Sequence, residues 1–184
     1  MNRSNIVVTA LAGAAVLSFA QFAAAAPTQT RIDYSAAMDR ASVVYKDARA
    51  KCDSLAGHGK DMCVAEAKAV EKRAKGVAEA HYQGTLKAAT ASRIADADAD
   101  LMVAKVACDA KTGQDKDVCV KQAQATQVKL VAEAKANKTS IDARADAREE
   151  TRDAQYKVEI AKCDALAGSD KEACASSAKS AYGK

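Results

Sequence analysis

The stretch KCDSLAGHGKDMC, residues 51–63, returns as ACDAKTGQDKDVC at 107–119 and as KCDALAGSDKEAC at 162–174. All six cysteines of the chain lie in these three copies, and ten residues separate the two cysteines of each copy. Successive copies begin 56 and 55 residues apart. A repeat of this period indicates one supersecondary unit that is used three times.

Each copy has the pattern of a helical hairpin. A glycine stands five residues after the first cysteine, where it can take the left-handed conformation that ends a helix. These helix-terminating glycines are Gly57, Gly113 and Gly168. The following helix is expected to begin after an N-cap two residues further on. The predicted N-caps are Gly59, Asp115 and Asp170.

The spacing of the cysteines predicts a disulfide within each hairpin. Six cysteines permit about 15 pairings. Two antiparallel helices at the usual axial distance, however, bring facing Cα atoms into the range of about 4.4–6.8 Å that a disulfide needs. The predicted disulfides are Cys52–Cys63, Cys108–Cys119 and Cys163–Cys174.

The composition predicts helices with a thin core. Alanine accounts for 46 of the 184 residues, 28% of residues are charged, and proline occurs once. Alanine favours helix strongly, yet its methyl group contributes little when buried. We therefore predict an all-α fold of elongated antiparallel helices. These helices form three disulfide-closed hairpins with alanine-rich, coiled-coil-like packing.

Two joints between the hairpins leave the helix count open. HYQGTLKAATAS, residues 81–92, contains Gly84, and ANKTSIDA, residues 136–143, contains Asn137 and Ser140. If both joints break, six helices of about 20 residues form. If neither breaks, residues 60–110 and 115–165 form two helices of about 70 Å each, with a short helix at either end. Ala, Lys, Glu and Asp dominate both joints, which favours the long helices.

The N-terminus has the features of a secretory signal peptide. Arg3 precedes an apolar run over residues 6–22, and alanines at 23–25 suit a cleavage site. An uncleaved membrane anchor is the alternative. We expect a signal peptide at 1–25 and a helical repeat region at 26–184, exported to the periplasm. Thiols are oxidised in that compartment, so the six cysteines are expected to be paired.

The residues give little support to catalysis, to cofactors or to metal binding. The chain has two histidines, His58 and His81, and its cysteines lack the Cys-x-x-Cys spacing of thiol-redox sites. Each hairpin offers two thiols, whereas a zinc site needs about four ligands. The acidic run DADAD, residues 96–100, matches the start of a calcium loop but lacks its glycine and its final glutamate. We interpret this run, and the charged run at 142–157, as solvated helix faces.

Three positions upstream of the cysteines are expected to face the hairpin cores. Tyr45, Leu101 and Tyr156 each lie seven residues before the first cysteine of their copy, two helical turns away on the same face.

The repeated frame resembles one found in small exported proteobacterial proteins rich in Ala and Lys. These proteins carry two or three copies of C-D-x-L-A-G-x-x-K-D-x-C, and the resemblance covers most of residues 40–184. Some of them are labelled TolA-like, a label that fits their shared Ala/Lys-rich helical bias. This chain has no visible globular C-terminal domain of the TolA type. The resemblance implies an envelope location and this architecture, and it implies no enzymatic activity.

The sequence therefore predicts a non-enzymatic helical structural or interaction protein of the cell envelope, for which an unidentified envelope protein is a candidate partner. The alternative is a stress-protective binder of unfolded proteins or membrane surfaces. Nucleic-acid binding is not expected, because the formal charge of +4 is small and the lysines alternate with acids. No integral membrane span is expected after signal cleavage, and the sequence does not indicate an oligomeric state.

Signal cleavage gives a direct prediction. Mass spectrometry of the protein from a periplasmic extract should find an N-terminus at or near Ala26, because the small residues before it fit the processing site. Recovery of a chain that begins at Met1 in the membrane fraction would instead support the anchor.

Overall fold

The computed structural model describes residues 30–184, and the predicted signal peptide at 1–25 lies outside the described residues. Five α-helices cover nearly all of the described part, which contains no strand. They are α1 (Arg31–Lys51), α2 (Gly57–Gln83), α3 (Leu86–Cys108), α4 (Gly113–Cys163) and α5 (Gly168–Tyr182). The all-α prediction is confirmed.

Each helix packs against its neighbours in the chain. Within residues 30–184, α1 contacts α2, α2 contacts α3, α3 contacts α4, and α4 contacts α5, without contact between more distant pairs. The short connections make successive helices antiparallel. The result is an open row of helices, from which the C-terminal part of α4 extends with α5 at its side.

The joint near Gly84 breaks, which the preferred prediction of one long helix over 60–110 did not anticipate. Gly84 takes φ +59° and donates its N–H to the Ala80 carbonyl, which ends α2. Thr85 then caps α3 by accepting a hydrogen bond from the Ala88 N–H at 3.1 Å. A left-handed glycine followed by a hydroxyl N-cap turns the chain back on itself.

The joint near Asn137 stays helical, as the long-helix prediction expected. Helix α4 runs unbroken for 51 residues, about 76 Å at 1.5 Å per residue. Asn137 and Ser140 have helical conformations, and Lys138 pairs with Asp142 along this part of the helix. The helix therefore breaks at the joint near Gly84 and continues through the joint near Asn137.

The glycines of the three frames adopt the expected left-handed backbone conformation, but they lie at the start of the next helix and not at the end of the preceding one. Their φ angles are +54°, +55° and +58° for Gly57, Gly113 and Gly168. Each is the first residue of the following helix, not the last of the preceding one. The N-caps predicted at Gly59, Asp115 and Asp170 are therefore wrong. The residue before each glycine, in an extended conformation, is the actual N-cap: Ala56, Thr112 and Ala167.

The interior consists of small side chains. The buried apolar residues of the described part are ten alanines and the first cysteine of each frame, and the largest fully buried side chains are Cys52, Cys108 and Cys163. Gly76 of α2 helps this close packing, because a Cβ there would lie 3.4 Å from the Ala95 Cβ of α3. The core is thin, as the composition predicted.

The upstream core positions are only partly buried. Tyr45, Leu101 and Tyr156 are all half-buried. No helix within residues 30–184 is long and apolar enough to cross a membrane.

The thin core predicts that stability depends on the disulfides. Reduction should lower Tm markedly but leave much of the far-ultraviolet helix signal at low temperature, because alanine helicity is local and hairpin pairing is not. Replacing Cys108 and Cys119 by Ser should have the largest effect of the three double replacements. We expect a fall in Tm of roughly 10 °C, from about 3 kcal/mol per closed loop.

Circular dichroism melts of the three double variants test this ranking against the unmodified protein. Equal Tm values for all four proteins would show that the alanine core is sufficient without the disulfides.

Candidate functional site

The three hairpin tips share one covalent geometry. Cys52–Cys63, Cys108–Cys119 and Cys163–Cys174 are disulfide-bonded, with Cα–Cα distances of 5.6, 5.7 and 5.5 Å. The first cysteine of each pair is buried at the end of its helix, and the second is half-buried in the first turns of the next. The predicted pairing is confirmed, and the cysteines are structural residues in all three copies.

An ion pair spans every tip, which the sequence analysis missed. The carboxylate that follows the first cysteine lies 2.8–3.0 Å from the Nζ atom of a lysine seven residues later. The pairs are Asp53–Lys60, Asp109–Lys116 and Asp164–Lys171. The signal was present in the frame, because both residue types occupy the same two positions in all three copies. Such exposed pairs orient the turn but contribute little to stability.

The backbone of the turn is also repeated. The N–H of the residue three after the first cysteine donates to that cysteine's carbonyl at 3.0 Å in each tip. The donors are Leu55, Lys111 and Leu166. The middle copy, which departs from the others at 110–112, thus forms the same turn, because the bond requires only the backbone.

The first two tips lie side by side, and the third lies far from them. A cleft of about 370 Å³ is lined by Arg49 and Lys60 near the first tip and by Val106 and Asp109 near the second. Helix α4 then carries the chain about 76 Å away from the second tip to the third. The structure therefore brings together two of the three predicted frames.

Tyrosine pairs close the ends of two hairpins opposite their disulfides. Tyr34 and Tyr82 stack with ring centroids 4.6 Å apart, and the Tyr34 hydroxyl donates to Glu79 at 2.6 Å. This hydrogen bond raises the pKa of Tyr34 and lowers the pKa of Glu79. Tyr156 and Tyr182 form a tilted pair at 6.1 Å between α4 and α5. Sequence reasoning did not find these pairs, because their members are distant in the chain.

The acidic run at 96–100 is solvated at its aspartates, as expected, but not at the residues between them: the Asp98 and Asp100 side chains keep 38% and 55% of their surface exposed. Ala97 and Ala99 are buried, because α3 lies between α2 and α4. Asp98 accepts hydrogen bonds from Gln127 of α4 at 2.9 Å and from Lys72 of α2 at 3.0 Å. These bonds, led by that of Gln127, lower the pKa of Asp98.

A shallow apolar groove of about 520 Å³ runs between α1 and α2. Val44, Val70 and Val77 line it and keep 52%, 50% and 45% of their surface exposed. Arg40 and His81 also line the groove, whereas His58 is exposed at the first tip. This groove is an exposed apolar surface.

Within residues 30–184, no group of three or more His, Cys, Asp or Glu side chains is arranged to hold a metal ion. No protein-family model, curated protein or solved structure matches the chain significantly.

The pKa of Asp53 gives a prediction for the first tip. The Arg49 guanidinium, 2.6 Å away, and then Lys60 lower this pKa from 3.8 to about 2. Because the folded pKa is depressed, the stabilisation is present above the unfolded pKa and is lost as the pH falls toward about 2. Arg49→Ala should therefore raise the pKa of Asp53 toward its ordinary value, and should do so more than Lys60→Ala.

Carboxyl-carbon NMR titration of Asp53 measures this change. Arg93→Ala, at an exposed site on α3, is the matched control and should leave the titration unchanged. If Arg49→Ala also left the titration unchanged, the guanidinium would not be the main cause of the depressed pKa.

Proposed function

We propose that this protein is a non-enzymatic spacer or adaptor of the bacterial cell envelope, which works in the periplasm. The observation that carries the proposal is the span of α4. This single helix of 51 residues joins the paired first and second tips at one end to the third tip at the other. Each tip is clamped by its own disulfide, so both ends are rigid.

The two ends carry similar contact surfaces. Leu55 at the first tip and Leu166 at the third keep 47% and 45% of their surface exposed. Each stands beside an Asp–Lys pair that fixes the turn. An exposed leucine on a rigid, charged turn is suited to contact with a partner protein. The middle tip has Lys111 at this position, so the apolar contact is confined to the two outer tips.

The disulfides also support the proposed periplasmic location. Three paired disulfides are typical of an oxidising environment and are rare in the cytosol. The predicted signal peptide would deliver the chain to the periplasm, where these bonds form.

A second candidate function is the binding of unfolded proteins or of membrane surfaces. The α1–α2 groove favours it, because three valines leave about half of their surface exposed there. Broad client binding needs an accessible apolar surface of this kind.

Photo-crosslinking in living cells separates the two functions. A photoreactive residue at 55 or at 166 should capture one defined envelope protein if the spacer function is correct. The same residue at 70, inside the groove, should capture many proteins if the second function is correct. The control position is 129, since the Lys129 side chain is 73% exposed and lies on α4 between the two ends.

Leu55→Lys and Leu166→Lys provide a matched test of the tip contact. The middle copy forms the same turn with lysine at this position, so both variants should fold with unchanged Tm. Crosslinking at a neighbouring tip residue should then fall at least tenfold. Undiminished capture in both variants, or a broad set of proteins at 55 and 166, would contradict the spacer function.

A further inference from the structure

Ten consecutive residues of α4 are not buried by any other part of the described chain. All residues from 143 to 152 are exposed, and we call this stretch the bare segment. Helix α3 covers the part of α4 before it, where Gln127 contacts Asp98 and Ala134 is buried. Helix α5 and the C-terminus cover the part after it, beginning with Lys184 on Asp153.

The bare segment is also too short to be stable by itself. Isolated helices below about 12–15 residues are marginal in water, even when they are rich in alanine. Its helical form therefore depends on the packed turns at either side. Interior helices that lack tertiary contacts are the parts of a protein that open most easily.

The charges of this region oppose the helix instead of supporting it. Residues four apart on a helix are neighbours, and like charges there are destabilising. Between 142 and 153, five pairs with this spacing carry like charges. They are Asp142/Asp146, Arg144/Arg148, Asp146/Glu150, Arg148/Arg152 and Glu149/Asp153.

Favourable pairs are nearly absent from the same region. Glu149 and Arg152, three apart, are its one oppositely charged pair at helical spacing. No ion pair in residues 30–184 joins two members of 142–153. Thr151 in addition donates its hydroxyl hydrogen to the Ala147 carbonyl at 2.8 Å, a bond that competes with the helical N–H for that oxygen.

We propose that the bare segment is a hinge, at which the helical structure of α4 opens first. Opening would let the two packed ends turn relative to one another, while each end stays closed by its own disulfides. The disulfides permit this motion, because they span 52–63, 108–119 and 163–174 and none crosses the bare segment. This hinge is a property of the isolated chain and does not depend on the proposed function.

Hydrogen exchange and limited trypsin digestion of the full, disulfide-bonded chain test the proposal. Amides of residues 143–152 should exchange at least tenfold faster than those of 119–134 in the same helix. Trypsin should cut first at Arg144, Arg148 or Arg152. The two products should separate on a non-reducing denaturing gel, whereas cuts inside a disulfide loop leave the fragments joined. Equal exchange along α4, or a first separating cut elsewhere, would overturn the proposal.

A charge-conserving variant tests the physical cause. Arg144→Glu together with Glu150→Arg keeps the net charge and the number of trypsin sites. It places an acid four residues before Arg148 and a base four residues after Asp146, which turns two repulsive pairs into attractive ones. Exchange and cleavage of the segment should slow about fivefold to tenfold.

Lys129→Glu with Glu133→Lys is the matched control. It swaps the two charges of an ion pair in the packed half of α4. The rates of hydrogen exchange and of cleavage in residues 143–152 should stay unchanged. Two outcomes would show that the charge pattern does not weaken the helix at the bare segment. One is amide exchange in the variant at 144 and 150 that is as fast as in the unmodified protein. The other is an equal slowing of exchange in the control.

Discussion

The close approach of two helices at each disulfide is the constraint on which the rest of the structure depends. Cα atoms at 5.5–5.7 Å leave room only for small side chains nearby, and the interior is accordingly made of alanines. A buried alanine contributes far less than a buried leucine. The disulfide therefore supplies stabilisation that a larger apolar core would provide in other helical proteins.

The repeated frame combines several local stabilising features within twelve residues. The cysteines hold the two helices together, the aspartate and the lysine brace the turn, and a glycine supplies a positive φ. A Cβ on Gly57 would meet no atom within 4 Å, so the glycine is needed for its backbone conformation and not for space. Because the turn bond is made by the backbone, the middle copy tolerates Lys111 where the others have leucine.

Stability is distributed unevenly along the row of helices. The first and last hairpins are closed at both ends, by a disulfide and by a tyrosine pair. The centre is tied by Asp98, which bonds both α2 and α4. Helix α4 alone connects the two ends, and its exposed middle lacks all of these devices. A molecule of this kind has rigid ends and a weaker connection between them.

The sequence by itself determined the features that are local. The disulfide pairing, the positive φ of Gly57, Gly113 and Gly168, and the helical class all follow from residues within one frame or from composition. The Asp–Lys pairs could also have been inferred, since their spacing repeats. Errors of three residues at the N-caps arose because the glycine itself begins the next helix, so the residue before it is the N-cap.

Only the tertiary structure decided where helices end between the frames. Gly76 and Gly84 are eight residues apart, yet the first stays inside α2 and the second ends it. Gly76 is retained because α3 packs closely against it, and that contact exists only because the chain turns back at Gly84. The tyrosine pairs and the bonds of Asp98 likewise join residues 26 to 48 positions apart. Contacts of this range depend on which helices become neighbours, and no local pattern in the chain specifies that.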